Sequence, residues 1–139
     1  MPRNWMTCLM MSNIKNLSGR KSLLIAGISY TIFITILFFT PVPEDSTMPD
    51  SGLDKLVHVL FHWLLATIWL IYFYLGDQSH FSSKMLILAL VTCFFYGIVV
   101  EAFQQWFTET RTFDLLDIVA NASGDLLGLL TFRLVRKKM

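Results

Sequence analysis

Four long apolar runs, separated by short segments that hold most of the charge, constrain this chain more than any other feature. They extend over about 23–39, 56–75, 85–107 and 113–135. At 1.5 Å of rise per residue each is long enough to cross a hydrocarbon core of about 30 Å as a helix. The first stops at Pro41 and Pro43, which cannot continue a helix. The fourth is the most polar, with Asp114, Asp117, Asn121 and Asp125 inside it. The expected fold is therefore an all-α membrane protein, a bundle of four transmembrane helices forming one domain over residues 1–139.

Composition agrees with the pattern. Hydrophobic residues make up 55% of the chain and charged residues 15%, with a mean hydropathy of +0.58. A soluble domain carries about 25% charge. A net charge of +1 points to no nucleic-acid partner. Cys8 and Cys93 fall at different depths and make no metal-binding spacing, so both read as free thiols. Four basic residues precede the first run, as in a signal peptide. That run is too long for a signal-peptide core, however, and Phe-Phe-Thr-Pro-Val-Pro follows it in place of a small-residue cleavage site. Met1, Met6, Met10 and Met11 leave the native start open.

Orientation follows from Lys and Arg. Nine of the 11 (Arg3, Lys15, Arg20, Lys21, Lys84, Arg133, Arg136, Lys137, Lys138) fall on one side of a four-span chain, leaving Lys55 and Arg111 on the other. The positive-inside rule then places both termini in the cytoplasm. The opposite side carries Glu44, Asp45, Asp50, Asp54 and Glu109.

Ionisable groups inside a membrane are costly, so each requires a partner or a purpose. In the second span Asp54, His58 and His62 recur every four residues and share one helical face. Glu101 and Gln104 lie near the end of the third span. Asp114, Asp117, Asn121 and Asp125 stripe the fourth, all but Asp125 in its outer half, with Arg111 just before it. With Lys55, these residues are expected to converge as one polar cluster, either ligand-binding or structural. Ala120, Gly124 and Gly128, spaced by four, form a small-residue stripe for close helix packing.

Several chemistries are open to this cluster. His58 and His62, at i and i+4, have the spacing to share a metal ion with Glu101. Hydrogen bonds from the same histidines to Asp117, Asn121 or Gln104 are the preferred reading, and no metal or cofactor is assigned. Glu101 and Asp117 form a potential general acid and base pair. Arg111 reads either as a binder of phosphate or carboxylate or as the ion-pair partner of Asp114 or Asp117. Lys55 reads as an interfacial residue reaching towards headgroups.

Three short motifs fall on these positions: Asp54-Lys55-x-x-His58, Glu101-x-x-Gln104, and Arg111-x-x-Asp114-x-x-Asp117-x-x-x-Asn121-x-x-Gly124-x-x-x-Gly128. In that order the chain resembles the VanZ-like family of bacterial membrane proteins associated with teicoplanin resistance. The chain departs from that pattern at His62, where the family has an aromatic residue, and at Asp125, where it has an apolar one. The resemblance implies a multi-pass protein of the bacterial cytoplasmic (inner) membrane, linked to the cell envelope and to glycopeptide resistance, and implies no known reaction. The expected function is a non-enzymatic factor that binds an envelope lipid, a lipid-linked precursor or a glycopeptide at the outer face. The alternative is a small membrane enzyme acting on a lipid-linked substrate through Glu101 and Asp117.

Overall fold

The structure, a computed structural model, describes residues 5–40, 52–76, 78, 80–107 and 114–138, with the side chains of 5–18 left aside. Among these residues every regular element is a helix: α1 (Trp5–Phe39), α2 (Gly52–Gly76), α3 (Ser83–Phe107) and α4 (Leu115–Arg136). Each contains a stretch long and apolar enough to cross a membrane, that of α1 being Gly19–Phe39. The architecture is an all-α bundle of four membrane-spanning helices.

The helix ends depart from the apolar runs in physically simple ways. Helix α1 begins at Trp5, well before the expected Leu23, because residues 5–22 contain no proline and a single glycine, Gly19, to interrupt it. Helix α2 starts four residues early, taking Asp54 and Lys55 into its first turn. Helix α4 starts two residues late, because Asp114 caps it. Its backbone is extended (φ −118°, ψ 117°), and its Oδ1 accepts the Leu116 N–H at 2.8 Å.

Successive helices run antiparallel, which makes α2 and α4 parallel neighbours. These two pack most intimately, and α1 lies against α2 and α3 without touching α4 among the described residues. The small residues explain the intimacy. A Cβ on Gly124 would meet the Val59 carbonyl oxygen, lie 2.7 Å from His62 Cβ and 2.9 Å from the Trp63 nitrogen. One on Gly128 would lie 2.7 Å from Ala66 Cβ. The backbones of α2 and α4 therefore approach at the stripe of Ala120, Gly124 and Gly128.

The apolar core is small. Ile34, Phe38, Leu65, Ala66, Cys93 and Val100 form one cluster, and Leu70, Ala89 and Phe132 a second. Large apolar side chains cover the outside on every helix, including Ile25 (67% exposed), Leu88 (67%) and Leu134 (64%). A soluble monomer does not leave this much apolar surface to water, whereas acyl chains cover it without cost. At the end of the bundle that holds the start of α1's span and the end of α4, Arg20 lies 5.2 Å over the Tyr72 ring and Arg136 lies 5.1 Å over Tyr74. Both terminal segments thus leave the bundle from the same end.

Candidate functional site

The interior of this bundle is unusual for what it buries. His58, His62, Glu101, Gln104, Asp117, Asn121 and Asp125 are each at most 6% exposed. They gather where α2 and α4 begin and α3 ends, and the parallel packing sets their pairing. Because both helices climb at 1.5 Å per residue in the same direction, residues four apart on one meet residues four apart on the other. His58 lies 3.0 Å (Nδ1 to Oδ1) from Asn121, and one turn deeper His62 lies 3.1 Å (Nδ1 to Oδ1) from Asp125. An amide oxygen only accepts, so the contact to Asn121 Oδ1 calls for the proton on His58 Nδ1.

Lys55 closes the mouth of this column. Its Nζ donates to Asp114 Oδ2 at 2.6 Å and to Asp117 Oδ1 at 2.9 Å, with the lysine side chain 25% exposed. The hydrogen bond from Lys55, followed by that from the Leu116 N–H, holds the Asp114 carboxyl, just outside the fourth span, below the usual carboxylate range. Glu101 reaches across from α3, its Oε1 accepting the Asp114 N–H at 3.0 Å. His58 Nε2 faces Asp117 Oδ2 at 4.0 Å. Phe38 of α1 stacks on His58 with ring centroids 4.7 Å apart and closes that side against lipid. Gly97 of α3 supplies the clearance behind the column, since a Cβ there would fall 2.7 Å from His62 Cε1 and 2.8 Å from Asn121 Nδ2.

Of the residues expected to converge, the structure gathers Asp54, Lys55, His58, Glu101, Asp114, Asp117 and Asn121 at one end. His62 sits a turn deeper and pairs with Asp125. Gln104 is buried beside them but turns to α1, donating to the Phe38 carbonyl at 2.8 Å. Arg111 lies outside the described residues. Asp125, on the expected stripe of the fourth span but deeper than the named cluster, joins it through His62, and its spacing of four from Asn121 matches that of His62 from His58. Further along the same seam Trp63 Nε1 donates to Thr131 Oγ1 at 2.8 Å, another link between α2 and α4 with no charge to announce it in the sequence. The metal spacing of His58, His62 and Glu101, set aside in favour of hydrogen bonding, does not form a ligand set among the described residues, but a different trio comes together. Potential ligand atoms of Asp54, His58 and Asp117 lie within 4.8 Å of one another.

An apolar cleft of about 320 Å³ opens between α1, α2 and α3 on the other side of α2, lined by Trp69, Phe73, Cys93 and Tyr96 among others. No charged group lines it, in contrast to the polar column.

No protein-family model matches the sequence, and no solved structure matches it. The chain is 31% identical over 130 residues to a protein of fission yeast, Schizosaccharomyces pombe, described as "Uncharacterized protein C11E3.10". The match covers 94% of this chain and 74% of the relative. A eukaryotic relative across nearly the whole length, with no family model behind the short motifs, overturns the VanZ-like resemblance. The bacterial inner membrane and the teicoplanin association, which rested on it, fall with it. The physical reason is that spacings of three and four are the helical repeat itself. Any bundle that pairs a polar face of one helix with that of a parallel neighbour generates such motifs. The chain belongs to the same family as the fission-yeast protein C11E3.10.

Proposed function

We propose that this chain is a non-enzymatic multi-pass membrane protein that binds the polar headgroup of a lipid or lipid-linked molecule. Binding takes place at the end of the bundle where α2 and α4 begin, and both termini are cytoplasmic, so that this end faces away from the cytoplasm. One observation carries the reading. Lys55 bridges Asp114 and Asp117 yet keeps a quarter of its side chain exposed, and the Asp114 side chain is 38% exposed. A cation and an anion are thus presented together at headgroup depth, backed by a buried polar column that holds them in place. A phosphate meets Lys55 there, and a headgroup ammonium or hydroxyl meets Asp114.

The acid and base pair of Glu101 and Asp117 has less support. Each accepts a hydrogen bond from a donor fixed in the fold, the Asp114 N–H for one and Lys55 for the other. Both carboxylates are thus engaged by partners within the fold, which favours a positioning role over proton transfer.

Native mass spectrometry of the protein released gently from detergent tests the proposal. The wild type is expected to retain a phosphate-containing lipid, and Lys55→Met with Asp114→Asn to lose most of it at unchanged secondary structure. Glu101→Gln is expected to keep partial binding. Wild-type protein that carries no such lipid, or a double variant that retains it equally, would overturn the headgroup site. Turnover of a retained lipid that Glu101→Gln abolishes outright would establish the enzyme instead.

A further inference from the structure

The trio of Asp54, His58 and Asp117 has a feature that headgroup binding does not use. Asp54 and His58 stand one turn apart on α2, and α4 brings Asp117 against them, so that one potential ligand atom from each lies within 4.8 Å of the other two. His58 and Asp117 are buried, Asp54 half-buried. An ion about 2.0–2.2 Å from each ligand atom requires the three atoms about 3.5 Å apart in tetrahedral geometry. Side-chain shifts below about 1 Å close the present spacing.

Two further contacts orient these side chains as a metal site requires. Asn121 Oδ1 accepts from His58 Nδ1 at 3.0 Å, which leaves the Nε2 lone pair directed away from that bond and towards Asp117 Oδ2, 4.0 Å off. Lys55 holds the other oxygen of Asp117, Oδ1, at 2.9 Å, so Oδ2 is the one turned to the trio. An imidazole fixed by a hydrogen bond to its far nitrogen, and a carboxylate anchored through its second oxygen, are arrangements that raise ligand basicity and lock geometry.

We propose that Asp54, His58 and Asp117 bind one divalent transition-metal ion, of the zinc or manganese class. One imidazole and two carboxylates suit these ions, and softer thiolate-seeking metals are excluded by the absence of sulfur in the set. Three protein ligands leave at least one coordination position for water or another oxygen donor. The inference goes beyond the headgroup reading and is tested without lipid, so either can fail alone.

The tag-free full chain, purified in detergent and stripped with a chelator, is equilibrated with Zn²⁺ alone, and the bound metal is counted by elemental mass spectrometry. About one ion per chain is expected. Asp54→Asn and His58→Gln are expected to reduce binding to below about a tenth of that, because each removes one of three ligands. Asn121→Ala keeps all three ligands and is expected to weaken Zn²⁺ affinity by roughly 10- to 100-fold. Thermal unfolding of the apo variants identifies those that fold. Asp54→Asn alters a half-buried residue in the first turn of α2 and keeps the test alive if His58→Gln does not. Replacing Zn²⁺ by Co²⁺ in the wild type is expected to give the visible absorption bands of a four-coordinate ion, a reading that needs no variant. Wild-type protein that binds no Zn²⁺, or folded Asp54→Asn that binds it as tightly as the wild type, overturns the assignment.

Discussion

Lys55 is the single cation among the described residues of the polar column, and two carboxylates depend on it. Asp114 is partly solvated and loses little without it, but Asp117 is 6% exposed and has Lys55 as its close cationic partner at 2.9 Å. Removing one partner of a buried ion pair costs about 3–5 kcal/mol, because the other charge is stranded in a medium that cannot solvate it. Since the Lys55 side chain is itself 25% exposed, a smaller effect is expected. Lys55→Met should destabilise the bundle by about 1–3 kcal/mol. Adding Asp117→Asn should recover part of the loss, with a coupling of about 0.5–3 kcal/mol. Chemical unfolding of the two single variants and the double variant in detergent measures this, and strict additivity would mean that the two residues do not share a site. The same logic explains why His62 and Asp125 occur together. Either alone would place an unpartnered polar group about 15 Å below the helix ends, near the middle of the bilayer. What the sequence showed at this scale was which faces are polar. It did not show which histidine meets which acid, because the offset between α2 and α4 is set by packing between helices that are not consecutive. Gln104 illustrates the limit, for its position on α3 placed it with the cluster, while its amide donates to the Phe38 carbonyl on α1.

At the level of elements, the four helices were legible because apolar length is a one-dimensional property, readable without knowing any contact. Their ends were less so. The early start of α1 and the extra turn of α2 are polar stretches that remain helical beyond the hydrocarbon, where length and hydropathy give no signal. The small-residue stripe of α4 was visible, but its partner was not, since glycine spacing says that something approaches and not what. The structure identifies α2. Leu126 points outward at 61% exposure, while Gly124 faces the Val59 carbonyl. Gly124→Leu should therefore cost about 1–3 kcal/mol or more, because the obstructing atoms are backbone and cannot rotate aside. Leu126→Ala should change stability by less than about 0.5 kcal/mol, lipid covering the surface either way. Thermal unfolding in detergent distinguishes the two, and equal stability of the variants would show that close approach of α2 and α4 does not hold the bundle together.

For the molecule as a whole, the bundle places Asp54, Glu101, Asp114 and Asp117 at one end and Arg20, Arg133 and Arg136 at the other. The proposal that both termini are cytoplasmic extends this asymmetry to the nine-to-two division of Lys and Arg along the chain. A glycosylation acceptor inserted near Asp50 should be modified in a eukaryotic membrane, and one appended after Met139 should not. Modification of the C-terminal acceptor alone would invert the orientation and move the headgroup site to the cytoplasmic leaflet.

Helix α4 is the least apolar of the four spans and the most enclosed by its neighbours. A helix with Asp117, Asn121 and Asp125 on one face gains little by entering lipid alone, since each charged residue near the bilayer centre costs about 2.5–3.5 kcal/mol on insertion scales. Those residues become acceptable once Lys55, His58 and His62 are already waiting. During biogenesis α2 must therefore be in place before α4 can settle, and the polar face of α2 serves as the receptor for α4. Assembly of this protein is then ordered by chemistry as well as by synthesis. A lesion in α2 would be felt first as a fourth helix left outside the membrane.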